Sequence, residues 1–446
     1  MITPMINIPD LLKPHFEKAI AIFGNGISGK AVASLLDRLK ANYIIYDQQE
    51  GAGFSSNFSD ESDSKHSLVI YSPGFPLDHP WLTLARRKGC YCLGELDFAT
   101  LFWRGKIIAI TGTNGKSTLT KFLAEALVNL GLNAIACGNI GEPLSAKHAY
   151  FNDDDTIAVC EVSSFQAEGL HHFSPDALLW TNFDPDHLDR YCDLKSYFEA
   201  KWSLLNRLKS DHLFIGKSVK QFADEHHFCF SQVPIVIDAN IRGKRLRENS
   251  NLLPEEYLGI FNVPPQLENY LLALAYWNTQ EYDSKILQKT ALNFKPLRHR
   301  LAITDEIEGK IFWNDSKGTN FLATIEALKR FDHKVLWIGG GKFKGGNLEV
   351  FVQRIAPYIE EAFLIGQTAE SLAKAFEVNC VKALVYPSLN EAVEKAFEKG
   401  LSYKFQNIVF SPGFASYGMF ANAEERGNFF EKSVLELKRK QKALVL

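Results

Sequence analysis

The sequence predicts an α/β protein of three domains, and three observations carry that prediction. Its 446 residues exceed what one hydrophobic core organises, since chains beyond about 250–300 residues divide into domains. A short β-rich apolar run, a turn rich in glycine, serine or asparagine, and a helical stretch recur in that order in every third of the chain, which is the grammar of parallel sheets wound with helices. With 46% hydrophobic and 23% charged residues, the composition is that of an ordinary globular protein rather than a disordered or fibrous one. The expected domains are 1–103, 104–296 and 297–446, the outer two Rossmann-like and the central one of phosphate-loop type.

In the first domain AIAIF (19–23) reads as a strand, and Gly24-Asn-Gly26-Ile27-Ser28-Gly29 as a glycine turn opening a helix through Leu36. NYIIYD then forms the next strand, ending at Asp47. Gly51–His66 is a polar loop, after which SLVIY resumes strand grammar and breaks at Ser72-Pro73-Gly74. The second domain begins with the strand KIIAI (106–110) and the turn and helix of GTNGKST. AIAC (134–137), TIAVCEV (156–162) and ALLWTNF (177–183) are further strands, ENYLLALAYW (268–277) is helical, and NFKPLRHR (293–300) reads as a linker. The third domain repeats the pattern with IFWNDSKGTN, KVLWIGGGKFKGG, EAFLIG, ALVYPS and NIVFSPGFASYGMF; the basic LKRKQK (437–442) is the solvated end of a terminal helix.

A net charge of -3 and a pI near 6.5 give no electrostatic footprint for nucleic acid or an anionic membrane. The first residues lack a secretory pattern and no apolar run reaches spanning length, so the chain reads as a cytoplasmic protein, and as a monomer. Seven cysteines (90, 92, 137, 160, 192, 229, 380) are scattered without CxxC spacing and receive no role.

The sharpest local signal is Gly112-Thr113-Asn114-Gly115-Lys116-Ser117-Thr118 between a buried strand and a helix. Backbone N–H groups there can cradle phosphate oxygens, the lysine adds a point charge, and a hydroxyl can hold a metal, as an ATP site requires. The loop is shorter than the general GxxxxGK[ST] form, because Ile110 stands where its first glycine belongs. Glu161 ends a parallel strand, where such sheets place ligands, and one carboxylate suffices for Mg²⁺. His187, within TNFDPDHLDRY, is a candidate metal-facing imidazole, although a histidine among aspartates is more often a satisfied loop residue. No spacing rule selects Lys201.

GTNGKST, EVSSFQ, DHLDRY followed by AKW, RHR, NDSKGTN and SPGFASYGMF, in this order, resemble the Mur ligases of bacterial cell-wall synthesis over nearly the whole chain. Within the family the N-terminal GNGISGKAVASLL and SPGFP and the C-terminal NDSKGTN and SPGFAS are most similar to the members that join D-glutamate to UDP-N-acetylmuramoyl-L-alanine. The resemblance implies ATP-dependent amide ligation through an acyl phosphate and a tetrahedral intermediate, with Mg²⁺ at two sites. It implies that Lys116 holds the β/γ-phosphates and Ser117 one Mg²⁺, that Glu161 and His187 hold the second, and that Lys201 is carbamoylated. Asn269, Arg300 and Asp315 would grip the nucleotide, with Lys317 and Thr319 brought to the reaction centre. Lys317, Thr319, Lys344, Ser416 and Tyr417 would receive D-glutamate. Gly26, Ile27, Ser28, Asp47, Ser72, Pro73 and Gly74 would surround the uridine diphosphate, with Asn139 near the acyl arm.

The chain departs from the family pattern at Pro265-Gln266, Gln48-Gln49, Gly418 and Ala423, which bear on the nucleotide, uridine and amino-acid contacts. Gly24-Asn-Gly26-Ile-Ser-Gly29 with Asp47 is also a dinucleotide fingerprint, so a nicotinamide-dependent oxidoreductase is the alternative of another class. A Mur-type ligase for a different amino acid is the nearer alternative; a non-catalytic binding relative is a third class, against which Lys116, His187, Lys201 and Lys317 argue. The phosphate loop and NDSKGTN have no place in the oxidoreductase reading.

Overall fold

The computed structural model describes residues 7–48, 55, 57–59, 65–146, 149, 153–238, 258–262, 265–402 and 406–445; most of the polar loop 51–66 and Gln49 lie outside the described residues. The chain forms two compact units, one of 1–183 with 195–294 and one of 184–194 with 295–446. The first unit holds two parallel sheets and the second a third sheet.

The N-terminal sheet is built from β1 (Ile20–Phe23), α1 (Ile27–Arg38), β2 (Tyr43–Tyr46), β3 (Leu68–Tyr71), α2 (Pro80–Arg87), β4 (Tyr91–Gly94) and α3 (Glu95–Thr100). Its strand order is β2-β1-β3-β4, all parallel. Strand alternation sends Ile20, Ile22, Leu68 and Ile70 to one face, against Val32, Leu35 and Leu36 of α1. Ala21, Phe23, Val69 and Tyr71 go to the other face, against Leu82 and Ala85 of α2. Buried Asp97 of α3 ties this sheet to the next by accepting the backbone N–H groups of His171, His172 and Phe173 at 2.9, 2.7 and 2.8 Å.

The central sheet comprises β5 (Lys106–Thr111), α4 (Lys116–Asn129), β6 (Ala134–Gly138), β7 (Ile157–Glu161), α5 (Ser164–Ala167), β8 (Ala177–Trp180), α6 (Leu194–Trp202), β9 (Leu213–Gly216), α7 (Lys217–Glu225), β10 (Ile235–Ile237), α8 (Gln266–Thr279) and α9 (Ser284–Asn293). Its order is β10-β9-β8-β5-β7-β6. The order turns back at β5, and in such sheets ligands bind where the carboxyl ends flank that turning point. In the N-terminal sheet the corresponding strand is β1.

The second unit contains β11 (Ala302–Ile307), β12 (Lys310–Asn314), α10 (Phe321–Leu328), β13 (Val335–Gly339), α11 (Leu348–Ile355), β14 (Ile359–Leu364), α12 (Ala369–Val378), β15 (Lys382–Val385), α13 (Leu389–Ser402), β16 (Asn407–Phe410) and α14 (Ala423–Val445). Its sheet runs β11-β12-β16-β13-β14-β15, with β11 antiparallel to β12 and the rest parallel. Val335, Trp337 and Val409 fill one face, and Leu336, Ile338, Ile408 and Phe410 the other. No helix among the described residues is long and apolar enough to cross a membrane.

Candidate active site

The loop between β5 and α4 is shaped by two glycines that admit no side chain. Gly112 has φ +142, and a Cβ there would lie 1.9 Å from Thr181 Oγ1; Gly115, the N-cap of α4, has φ +84, and a Cβ would lie 2.6 Å from Asn269 Oδ1. The residues after β8 tie the loop down. Thr113 N–H donates to Asn182 O (3.0 Å), Asn114 N–H to Asn182 Oδ1 (2.9 Å), and Thr181 Oγ1 to Asn114 O (2.6 Å). Ser117 and Thr118 are buried in the first turn of α4. Asn269 of α8 lies against Gly115, and its amide donates to Gln266 Oε1 at 2.8 Å, so Gln266 holds this candidate side chain in place.

Two lysines converge on one carbonyl. Lys116 Nζ donates to Gly112 O at 2.9 Å and to Thr113 O at 2.8 Å, while Lys201 Nζ, from α6, donates to the same Gly112 O at 2.9 Å. Lys201 is 1% exposed and its ammonium stands 4.9 Å from the Tyr197 ring centroid. Two ammonium groups beside a helix N-terminus make a hollow suited to phosphate oxygens. At the end of β7, Glu161 is 2% exposed; its Oε1 accepts from Asn139 Nδ2 at 2.9 Å, and its buried Oε2 has no hydrogen-bond partner among the described residues. An orphaned buried carboxylate oxygen fits a hard divalent cation, and Mg²⁺ completes its shell with phosphate oxygens and water rather than with a cage of side chains. No cluster of three or more His, Cys, Asp or Glu able to hold a metal occurs among the described residues.

At the end of β1 the first turn is equally tight. A Cβ on Gly29 would lie 1.8 Å from Gly24 O, and one on Gly24 (φ +100) would lie 2.7 Å from Ser72 Oγ. Asp47, after β2, accepts the Asn25 N–H at 2.6 Å, and the Ser72 hydroxyl, after β3, is buried without a partner among the described residues. Gly26, Ile27 and Ser28 form the mouth of α1, where Ile27 is exposed and Gly74 faces open space. Gln48 Nε2 lies 3.1 Å from His79 Nε2.

In the second unit the candidates fall into two groups. Asp315, after β12, is buried, and burial pushes its carboxyl up to about 6 against the hydrogen bond from Ser411 Oγ (2.7 Å) and the charges of Arg300 and Arg330. Lys317 donates its backbone N–H to His299 O at 3.0 Å and holds its ammonium 3.9 Å from Glu424. Arg426 of α14, 1% exposed, fastens this loop to the one after β16: it donates to Ser316 Oγ, Ser316 O and Phe414 O at 3.1, 2.9 and 3.0 Å. Burial lowers its guanidinium to about 9.

The other group surrounds Asp186, which the sequence reading did not single out. Its carboxylate meets Lys344 Nζ at 2.5 Å, Asn320 Nδ2 at 3.1 Å and His187 Nε2 at 3.7 Å. Burial would raise this acid, but Lys344, His187 and Asn320 outweigh it and hold the carboxyl down at about 2. Burial raises its neighbour Asp184 to about 6, against Arg354. Asp186, Leu188, Thr319, Lys344 and Phe414 line a cavity. Ser416 is buried and Tyr417 exposed; Gly418 has φ +91, a left-handed backbone that explains glycine there. At Ala423 the backbone carbonyl, not a side chain, is used: it accepts from Ser316 Oγ at 2.7 Å.

The structure therefore gathers Gly112–Thr118, Asn139, Glu161, Lys201 and Asn269 in the first unit, and His187, Thr319 and Lys344 in the second. Sequence reasoning missed Thr181, Asn182, Asp186 and Arg426. The first three lie in the TNFDPDH run, whose polar density was the available signal; for Arg426 a lone charge on a helix gave none.

Residues 110–240 match the Mur ligase middle domain. The chain is 33% identical to the UDP-N-acetylmuramoylalanine–D-glutamate ligase of Thermoanaerobacter sp. (strain X514), over 95% of this chain and 99% of that one. It is 31% identical to the enzyme of the same name from Streptococcus pneumoniae (strain Hungary19A-6), over 95% and 98%. Among solved structures it is similar to a UDP-N-acetylmuramate–alanine ligase from Thermotoga maritima, with a TM-score of 0.59 and 18% identity over 94% of this chain and 100% of that one.

Proposed function

The chain belongs to the Mur ligase family, and from that premise we propose that it joins D-glutamate to UDP-N-acetylmuramoyl-L-alanine with consumption of ATP, a step in peptidoglycan precursor synthesis. The observation that carries the reading is the phosphate loop, glycine-shaped and doubly lysine-charged, in a chain similar from end to end to enzymes of that name. A free carboxylate does not acylate an amine at neutral pH. Attack of the substrate carboxylate on the γ-phosphorus of ATP expels ADP and gives an acyl phosphate; the D-glutamate amine adds to its carbonyl carbon, and the tetrahedral intermediate collapses with loss of phosphate.

In this reading Gly112–Thr118 hold the triphosphate, with Lys116 at the β/γ-phosphates, while Asn269, Arg300 and Asp315 grip the nucleoside. Glu161, His187, Ser117 and Lys201, the last as a carbamate, would hold Mg²⁺, which when bound neutralises charge on the transferring phosphoryl group. Carbamoylation turns one of the two crowded cations at Gly112 O into an anion and relieves their repulsion. Gly26–Ser28, Asp47 and Ser72–Gly74 receive the uridine diphosphate at the turning point of the first sheet, with Asn139 near the acyl arm. Lys317, Thr319, Lys344, Ser416 and Tyr417 receive D-glutamate, whose two carboxylates suit lysines and hydroxyls. The domains assigned to these tasks are 1–103, 104–296 and 297–446, working in the cytoplasm as a monomer.

The test is phosphate release by purified protein with Mg·ATP and UDP-N-acetylmuramoyl-L-alanine, comparing D-glutamate with L-glutamate, lysine, diaminopimelate and no amino acid. Release with D-glutamate alone is the expected result. Release with another amino acid instead would refute the assigned specificity, and none with any would refute the ligase reading.

A further inference from the structure

We infer that Asn139 is a positioning residue for Glu161, fixing one carboxylate oxygen so that the other is the one presented to a divalent cation. The inference rests on the proposed reading of Glu161 as a metal-facing carboxylate. Nothing in the resemblance assigns this task to Asn139, which it places near the acyl arm of the substrate.

The geometry begins in the sheet. β6 runs parallel to β7 with Gly138 in register with Glu161. Gly138 has φ +94, and a Cβ there would stand 2.3 Å from Glu161 O, so only glycine lets the chain leave β6 this close to its neighbour. That turn delivers Asn139 with two donors aimed at one residue. Its backbone N–H meets Glu161 O at 2.9 Å, and its side-chain amide meets Glu161 Oε1 at 2.9 Å.

Gripping both the main chain and the side chain of Glu161 fixes the carboxylate's rotation. Oε2 is left buried and without a hydrogen bond. A carboxylate oxygen in that state carries a desolvation cost that a bound cation would offset. The choice of an amide also fits. A lysine or arginine in the same place would hold Glu161 as firmly but neutralise it, whereas a neutral donor orients the carboxylate and leaves its charge for the metal. Asn139 itself is exposed, so substitutions there remove the grip without emptying a packed core.

The experiment titrates Mn²⁺, read by electron paramagnetic resonance of the free ion, into full-length protein with a non-hydrolysable ATP analogue and UDP-N-acetylmuramoyl-L-alanine. Asn139→Ala and Asn139→Ser are compared with wild type, and each is repeated in a Glu161→Gln background, with metal-free melting curves to show that the variants are folded. Loss of an orienting partner is expected to weaken Mn²⁺ binding about 10–100-fold in the wild-type background and to change nothing further once Glu161 is Gln. Unchanged Mn²⁺ affinity in both variants, or an equal loss in both backgrounds, overturns the inference while leaving the ligase reading intact. Wild-type protein that takes up no Mn²⁺ beyond the nucleotide-bound ion overturns the metal role of Glu161, and the inference with it.

Discussion

Around the phosphate loop the holding groups are mostly neutral and many belong to the main chain: Asn182 O and Oδ1, Asn114 O and N–H, Gly112 O. In the second unit the corresponding work falls to buried ions: Lys344 on Asp186, Arg426 across two loops, Asp315 under Ser411. A backbone cradle is set by glycine geometry and tolerates side-chain drift at its edges. A pocket of buried charges is set by pairing, and each partner removed strands the other in a place where water cannot replace it. The two regions are therefore expected to fail in different ways, the first by losing catalysis and the second by losing stability.

The largest expected effect is in the second unit. Lys344→Ala leaves the Asp186 carboxylate buried with only Asn320 and His187, and breaking a buried pair of this kind costs about 3–5 kcal/mol. The acid limb of the stability curve should move as well. Because Asp186 sits at about 2 in the folded protein, its contribution is present above the unfolded carboxylate pKa near 4 and lost as pH falls from there towards 2. Without Lys344 the folded value rises and that contribution shrinks. Urea unfolding of wild type and variant between pH 3 and 8 measures both; an unchanged midpoint at neutral pH would mean the ion pair is not what holds this pocket.

Lys116→Ala should act in the opposite sense, with little change in unfolding and a fall in kcat of about 10²–10³-fold, as removal of one preorganised charge-stabilising donor gives. Its ammonium is held by two carbonyls of the loop, which water can take over in the variant, so the fold survives. Turnover near the wild-type rate would disconnect this loop from phosphate transfer.

Asp315 offers an intermediate effect with a defined sign. Burial raises it to about 6, so the folded protein binds its proton more tightly than the unfolded chain, and stability falls as pH rises from about 4 to about 6. Asp315→Asn should reduce this slope by Asp315's share, since the amide does not ionise, while Asp184, raised to the same value, keeps its own. The pH window of Asp315 lies above that of Asp186, so the two can be separated in one unfolding series; a slope as steep in the variant as in wild type would assign the whole of it to other acids, Asp184 first.

The contrast between the regions also governs what could be read from the sequence. Gly112, Gly115 and Lys116 were legible because a fixed spacing of glycines and a lysine after a strand encodes a backbone shape. Asp186 and Arg426 were not, because nothing in a linear pattern distinguishes a buried ion from a solvated one until its partners, here 158 and 110 residues away in sequence, are brought to it. The parallel strands ending at Phe23, Thr111 and Glu161 were visible as apolar runs. β11 was not: AITDEI neither alternates polar with apolar nor forms an apolar run, and at the sheet edge it returns to β12 through Glu308-Gly309, both at positive φ, as a two-residue hairpin requires. That 184–194 groups with the C-terminal unit has no sequence signal at all, since contiguity argues for the opposite.

The smallest effect tests whether the nucleotide side is as tolerant as its construction implies. Gln266 Oε1 accepts the Asn269 amide and so keeps that side chain against Gly115. Gln266→Ala removes one neutral hydrogen bond at a half-buried position and should cost about 0.5–1.5 kcal/mol, expressed as a rise of roughly 2–10-fold in KM for ATP. kcat and the KM for D-glutamate should stay as they are, because Lys116 and the loop backbone do not depend on Gln266. A fall in kcat would show that side-chain positioning on α8 reaches the transferring phosphate, and the division between a backbone-built and a charge-built region would then hold only for the C-terminal half.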